Sequence, residues 1–407
     1  MNILYIIPYC PVPPMFGGAL RTAHVIGQAA RRHQVTILTI GWPGDDRKLQ
    51  NYFHLPPENV RVVPRHWTRR HRRAAQGFSL LTRHSFFHML ASNARMQRVI
   101  AEVLRERKFD IIQVEFSPMG QYTLDADAVK ILDSHNVEYD NFRRMWLKNR
   151  SFLKRIHYRF EYKKFYREEI ESCSKFDLMF VTSSRDKEIL DGDVPAVPKI
   201  VVPNGVDSSY FTATGEPFEP HSIVFTGAMS YLPNHDGIHY FMEEVFPLIE
   251  QVHPDARVYI VGSKPPPAIT RLARKNVVVT GFVEDVRPFV RKSSVYVVPL
   301  RMGSGTRLKI LEALSMKIPI VTTSIGCEGI NVRNDETAMI ADSPRQFADA
   351  VIDLFDNADR RKRLVSNGYD LVTSTYTWDV IGEQIDGLYR DAVAGRYGKK
   401  KPAGAGR

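Results

Sequence analysis

The stretch VYVVPLRMGSGTRLKILEALSMKIPIVTT, residues 295–323, holds one complete strand–turn–helix–strand unit. Val295–Pro299 is an apolar, β-branched run of strand length. Gly303-Ser304-Gly305-Thr306 interrupts it. Leu308, Leu311, Ala313 and Leu314 then recur at helical spacing, and Pro319–Thr322 opens the next apolar run. Apolar strands joined through a helix belong to a parallel sheet covered on both faces.

The same alternation extends over most of the chain. Strand candidates in the first half are Asn2–Pro8, Val35–Ile40, Val60–Val63, Ile111–Glu115, Val129–Asp133, Leu178–Thr182 and Ile200–Val202. In the second half they are Ile223–Phe225, Arg257–Val261, Val277–Thr280, Val295–Pro299, Pro319–Thr322 and Thr337–Ile340. Two such series predict an α/β protein of two tandem Rossmann-like domains facing a central cleft. The polar, proline-containing stretch Asp207–His221 separates the series, so we place an N-terminal domain at 1–206 and a C-terminal domain at 207–375. The Gly/Lys/Ala-rich tail, 395–407, reads as disordered. Ligands of such sheets bind beyond the C-terminal ends of the strands. Functional residues are therefore expected just after strands.

The 407 residues are 43% hydrophobic and 25% charged, which suits full hydrophobic cores. No apolar run approaches the ~18 residues of a transmembrane helix. The N-terminus, MNILYIIPYCPVPP, has no basic region ahead of its apolar run and reads as a first strand, not an export signal. Cys10, Cys173 and Cys327 are too few and too scattered for a disulfide framework or a zinc site, so a cytoplasmic location is expected. The formal net charge is +11, and it is unevenly spread. Residues 1–200 carry 32 basic and 21 acidic side chains, whereas residues 201–407 carry 24 of each. One half is thus expected to meet an anionic surface and the other not.

Five segments could carry chemistry. In Pro11–Arg21, Gly17 and Gly18 open a helix after the first strand, where free N–H groups favour an anion; an ordinary strand-to-helix turn is the alternative. In Pro299–Ile330, Arg307 and Lys309 sit in a first helical turn, which is locally unfavourable for cations unless a diphosphate docks there. Gly303, Ser304, Gly305 and Thr306 would then surround the diphosphate, and Glu312 could accept hydrogen bonds from sugar hydroxyls; a surface Lys309–Glu312 pair is the alternative. In Phe225–Asp236, Gly227 ends a strand and Asn234 precedes a helical stretch. No Lys or Arg occurs between Lys199 and Arg257, so Arg307 and Lys309 would have to supply the positive charge. His135, within ILDSHNVE, lies just past a strand, and Glu115 ends another and could serve as a base. The last segment is basic. Arg65, Trp67, Arg69, Arg70, Arg72 and Arg73 crowd RHWTRRHRR, and Leu153–Tyr166 interleaves aromatics with Lys and Arg. Such runs suit anionic lipid, single-stranded nucleic acid, or simply solvent. No reader motif supports nucleic acid.

Taken together in their order, these marks resemble family 4 glycosyltransferases with the GT-B fold, in particular the exopolysaccharide-associated sugar transferases. The marks are Gly17-Gly18 with Arg21, Asp133-Ser134-His135-Asn136, Val181–Ser184 with Asp186, Pro203–Asp207, Gly281-Phe282 before Asp285, GSGTRLKILEAL followed by Thr323–Gly329, and Tyr376-Thr377-Trp378. The resemblance implies a retaining, metal-independent hexosyltransferase without a cofactor. Its donor would be a UDP- or GDP-linked sugar held by the C-terminal domain. Its acceptor, lipid-linked or a glycan, would be held by the N-terminal domain at the inner face of the cell membrane, in surface polysaccharide biosynthesis. A last helix, 376–394, would cross back to the N-terminal domain. Gly17 and Gly18 would approach the donor phosphate or the acceptor. His135 would lie near the transferred sugar, Arg307 and Lys309 would stabilise the departing diphosphate, Glu312 would meet the ribose, and the backbone at Phe282 would hold the base. Two departures stand out. Ser304 occupies the place of the family's first glutamate, and Ala228 and Asn234 occupy those of its usual Arg and Lys. A catalytically silent nucleotide-sugar binder and a nucleotide-sugar epimerase are the competing readings.

Overall fold

The computed structural model describes residues 1–65, 79, 82–148, 151–215, 217–303 and 305–397. These divide into two compact units. The first is Met1–Pro203 together with the chain from Gly382 onward, and the second is Asn204–Ile381.

The first unit is built on a parallel sheet of seven strands. They are β1 (Asn2–Ile7), β2 (Gln34–Gly41), β3 (Val60–Pro64), β4 (Ile111–Glu115), β5 (Val129–Ser134), β6 (Leu178–Val181) and β7 (Lys199–Val201), in the order β3-β2-β1-β4-β5-β6-β7. The second unit has six: β8 (Glu219–Thr226), β9 (Arg257–Val261), β10 (Val277–Gly281), β11 (Ser293–Val298), β12 (Ile320–Thr322) and β13 (Met339–Ile340), in the order β10-β9-β8-β11-β12-β13. Every strand read from the sequence is present. The two α/β sheets share one topology, in which the strand order reverses beside the first strand. That reversal leaves a crevice at β1/β4 in one unit and at β8/β11 in the other, the position where doubly wound sheets bind ligands.

β8 begins three residues inside the stretch that reads as an interdomain join. Polar residues hide it in the sequence. Glu219 donates its N–H to Lys292 O at 2.7 Å, and Ser222 and Ser294 exchange buried hydrogen bonds across β8 and β11 at 2.8–3.0 Å. The strand interiors are largely apolar, with Gln113, Glu115 and Asp133 as buried exceptions on β4 and β5. Leu4, Ile6, Ile112, Val114 and Leu132 centre one core, and Ile223, Phe225, Val258, Val295 and Val297 the other.

The segment Leu153–Tyr166, which interleaves aromatics with Lys and Arg, lies in the helix Phe152–Cys173. Three of its carboxylates turn inward. Glu161 accepts from Phe86 N at 2.8 Å, Glu168 from Ser85 N at 3.1 Å, and Glu169 from Tyr139 N at 2.9 Å and Ser117 Oγ at 2.7 Å. Each thus meets free N–H groups where another helix or turn begins, which favours an anion. Burial, helped by the neighbouring Glu138, lifts Glu169 to about 8. The outward face does carry exposed Lys154, Arg155, Arg159 and Lys163. Beside them Phe152, Ile156 and Phe160 form an exposed apolar stripe at four-residue spacing. No described helix is long and apolar enough to cross a membrane.

The final helix, Trp378–Val393, gives the first unit Tyr389 and Asp386. Tyr389 is buried, donates to Gln113 Oε1 and lies 2.8 Å from the Tyr5 hydroxyl. Asp386 pairs with His33 at 2.8 Å.

Candidate active site

At the β1/β4 crevice the strand ends deliver a buried cluster. β4 ends in Glu115 and β5 brings Asp133, its register partner, followed by His135. Both carboxylates are 0% exposed and His135 is 5% exposed. Buried charges must be paired, and these are. Arg21, on the helix Gly17–Ala30 that follows β1, grips Asp133 with Nε at 2.9 Å and Nη2 at 2.8 Å, and gives Nη1 to Pro203 O at 2.9 Å. Glu115 accepts from Gln113 Nε2 at 2.7 Å, Thr22 Oγ1 at 3.3 Å and His135 Nε2 at 2.7 Å.

Because Nε2 of His135 is committed to Glu115, Nδ1 is the nitrogen left to act. It is buried and has no hydrogen-bond partner among the described residues. It looks onto Gly18: a Cβ there would lie 3.4 Å from Nδ1, 3.0 Å from the Tyr9 hydroxyl and 2.8 Å from Phe116 Cζ. Gly18 therefore lets the Phe116 ring, the Tyr9 hydroxyl and His135 Nδ1 close in on the helix backbone. Phe116 stacks against His135 with centroids 3.9 Å apart and holds φ at +68°, a strained backbone for a bulky residue. Tyr9 and Phe116 escape a reading of motifs because neither is a reactive residue type. Their position directly after β1 and β4 is the signal that finds them. Gly17, the first residue of the helix, is exposed.

At the β8/β11 crevice the second constellation assembles. The helix Leu308–Ser315 starts after the glycine turn, and its N-cap residue, Arg307, provides no side-chain cap. Lys309 Nζ donates to Thr226 O and to Asn234 Oδ1 at 3.0 Å, and lies 4.3 Å from the centroid of the Phe225 ring. Arg307 Nη1 donates to Gly305 O. A Cβ on Gly303 would meet Arg307 Nη2 at 2.7 Å, and one on Gly227 would meet Lys309 Nζ at 2.9 Å and Asn234 Nδ2 at 2.6 Å. The Thr306 hydroxyl is buried with no partner among the described residues. The structure thus brings Gly227, Asn234, Gly303, Gly305, Thr306, Arg307 and Lys309 into one neighbourhood. The segment that lacks its own cations receives Lys309 from 75 residues downstream.

This neighbourhood is electrostatically unsettled. Desolvation, aided by Arg307, pulls Lys309 down to about 7 against the opposing pull of Glu312. Desolvation lifts Glu312 to about 7 against Lys309. Burial thus works against the charge on both groups, and an arriving anion would favour the protonated lysine.

Glycines close the same edge of the sheet. Gly227, Gly262 and Gly281 end β8, β9 and β10 and all have positive φ. A Cβ on Gly262 would fall 1.8 Å from Gly227 O, so that strand end tolerates no side chain. Phe282 follows Gly281 and is 75% exposed.

Some expected residues are not available for placement. Ser304 lies outside the described residues, as do Trp67, Arg69, Arg70, Arg72, Arg73 and the tail 398–407. Arg65 is described and exposed at the end of β3.

Comparison with known proteins bears on both halves. Residues 16–210 match the model of Glycosyltransferase Family 4, and residues 220–357 match that of Glycosyl transferases group 1. The chain is 22% identical, over 92% of its length and 96% of the relative's, to a 44.6 kDa protein of the cps region of Klebsiella pneumoniae. It is 27% identical over 38% of its length to alpha-D-kanosaminyltransferase of Streptomyces kanamyceticus, of which 42% is covered. Sucrose-phosphate synthase from Thermosynechococcus elongatus has the same fold, with a TM-score of 0.69 at 16% identity over 97% of this chain and 100% of that one. HepE from Anabaena, solved in complex with UDP, gives 0.67 at 13% identity over 96% and 100%. With each half matched by a glycosyltransferase model and the whole chain superposing on solved structures of that fold, the chain belongs to glycosyltransferase family 4 and has the GT-B fold.

Proposed function

We propose that the protein transfers a hexose, with retention and without a metal, from a UDP- or GDP-linked donor to a lipid-linked or glycan acceptor in surface polysaccharide biosynthesis. The observation that carries this reading is the pairing of Arg307 and Lys309 with Gly227 and Gly303 at the β8/β11 crevice. Glycine backbone there borders two cations that a diphosphate would engage on arrival, and the helix N-terminus adds its dipole. Departure of the sugar places new charge on the diphosphate. Fixed cations stabilise that charge directly, the office a metal would otherwise fill. Solved complexes of HepE with UDP and with UDP-glucose support the donor class.

The first unit takes the acceptor. His135 Nδ1, beside Gly18, suits a sugar hydroxyl, which would donate its proton to that nitrogen's lone pair. Exposed Phe152, Ile156 and Phe160 with flanking Lys and Arg suit the anionic inner face of a membrane, where lipid-linked acceptors reside. The cps-region relative supports the polysaccharide setting.

The test is sugar transfer from a panel of nucleotide sugars to membrane extracts, wild type against Arg307→Ala. Loss of about 10²–10³-fold in turnover with an unchanged melting curve is expected. Near-normal turnover in the variant would refute the diphosphate site.

A further inference from the structure

The second unit carries another cluster at the opposite edge of its sheet. His221 is the third residue of β8, His253 follows the helix Phe246–Val252 just ahead of β9, and Asp356 ends the helix Pro344–Asp356. One ligand atom from each of the three lies within 4.8 Å of the others. Strands β8 and β9 are parallel, so this edge is the far end from Gly227 and Gly262. The glycosyltransferase reaction makes no use of it.

Ion pairing alone describes this cluster poorly. His253 Nε2 lies 3.3 Å from Asp356 Oδ1 and 3.4 Å from Oδ2. A charge-assisted N–H···O bond settles near ~2.7–2.9 Å. Two ligands held ~2.0–2.1 Å from one tetrahedral ion stand about 3.3 Å apart. The observed spacing, long for an ion pair, matches that of neighbouring ligands about a metal. The two imidazoles also face each other closely, with centroids 4.2 Å apart, which two protonated rings would resist.

The surroundings add a second, independent observation. Asp255 accepts from His221 Nδ1 at 2.9 Å. That bond fixes the tautomer and leaves Nε2 of His221 with its lone pair, the carboxylate–imidazole arrangement that orients metal ligands. Phe355 covers both rings, 5.2 Å from His221 and 5.5 Å from His253. His221 also holds φ at +50°, a conformation that an ordinary strand residue avoids and that serves to turn its ring toward His253.

Two other clusters meet the same spacing among the described residues, and neither is as open to a metal. Asp133 of the Glu115–Asp133–His135 group is already held by Arg21. Glu168 of the His84–His88–Glu168 group already accepts from Ser85 N with both oxygens, at 3.1 and 3.2 Å.

We propose that His221, His253 and Asp356 form a structural site for a divalent transition metal, with Asp255 as the orienting carboxylate. Two imidazoles and one carboxylate suit Zn²⁺, with water completing a tetrahedral set. The ion would tie the start of β8, the turn into β9 and the end of a helix more than 100 residues later.

The test uses the full chain, freed of tag histidines and stripped with a chelator, then dialysed against micromolar Zn²⁺ or Co²⁺. Expected are one bound equivalent, an intense tetrahedral Co²⁺ absorption band and a higher melting temperature. Asp356→Asn and His253→Ala should each weaken binding at least ~100-fold, and Asp255→Asn by ~10–100-fold, with sugar transfer unaffected. Asp356 is exposed, so its variant isolates the metal from the fold. Failure of the wild type to take up either metal overturns the proposal. So does uptake that survives in Asp356→Asn and His253→Ala, or that is lost instead in a His84→Ala/His88→Ala double variant.

Discussion

Glu115 and His135 come from neighbouring strand ends and meet through a single 2.7 Å hydrogen bond at Nε2. The carboxylate thereby determines which imidazole nitrogen faces Gly18. Glu115 receives donors on both of its oxygens, Gln113 on one and Thr22 with His135 on the other. A glutamine at this position must turn its amide N–H₂ toward one of these donors. If that is His135, the tautomer reverses and Nδ1 becomes a donor. Glu115→Gln is expected to lower kcat by about 10–100-fold, the worth of ~1.5–3 kcal/mol in a charged hydrogen bond, while KM for the donor sugar changes little. Steady-state kinetics with a thermal melt check it, and unchanged kcat in a folded variant contradicts the positioning role.

Gly18 has space for nothing larger than hydrogen. A methyl group would press on Phe116, Tyr9 and His135 at 2.8, 3.0 and 3.4 Å. Gly18→Ala should fold, because the crowded atoms belong to side chains. Its turnover should drop more than ~10-fold through displacement of the ring that backs the imidazole. A crystal structure showing Phe116 and His135 unmoved, alongside full activity, would count against His135 Nδ1 as the acceptor's partner.

Lys309 titrates near neutrality because it is desolvated, so a bound diphosphate should pull a proton onto it. Calorimetric titration of UDP at about pH 8, in buffers of different ionisation enthalpy, should reveal proton uptake. Lys309→Met should remove that uptake and weaken UDP binding. Equal apparent enthalpies in all buffers for the wild type would speak against a lysine–phosphate contact.

The same lysine should have a stability signature. Its folded value lies below its unfolded one, so the unfolded chain binds the proton more tightly. The penalty on the fold is full below about 7 and fades as pH rises toward the unfolded value. Lys309→Met should therefore melt higher than wild type by most at about pH 6, with the gap narrowing by about pH 9. A gap that widens with pH would reverse the assignment.

The apolar stripe on the helix Phe152–Cys173 gives a membrane prediction. Phe152→Ser/Phe160→Ser should reduce sedimentation with anionic liposomes several-fold, and added salt should weaken the wild type in the same assay. Equal binding to neutral liposomes would remove the electrostatic part of the argument.

Most of the architecture was legible in the sequence because buried parallel strands are continuous β-branched runs, and all thirteen could be located from composition alone. The first residues of β8 were not, since Glu219, Pro220 and His221 make no apolar run and Glu219 joins the sheet through its backbone N–H to Lys292 O. Within the candidate site, Gly18, His135, Arg307 and Lys309 were legible from their places after strands. Their partnerships were not. The 20 residues separating Glu115 from His135 collapse to one hydrogen bond only when β4 and β5 pair, and Asn234 finds Lys309 only when β8 and β11 do. The cluster at His221 was invisible for the same reason, its members lying far apart along the chain.

The approach of Gly262 to the carbonyl of Gly227 carries a lesson for anyone redesigning this enzyme's donor preference. Here the wall consists of main chain, so a randomised library would return blanks at position 262 whatever nucleotide were offered. Under the donor site proposed above, variation in specificity would come instead from neighbours that have side chains to exchange, beginning with Asn234 and the ring at 282.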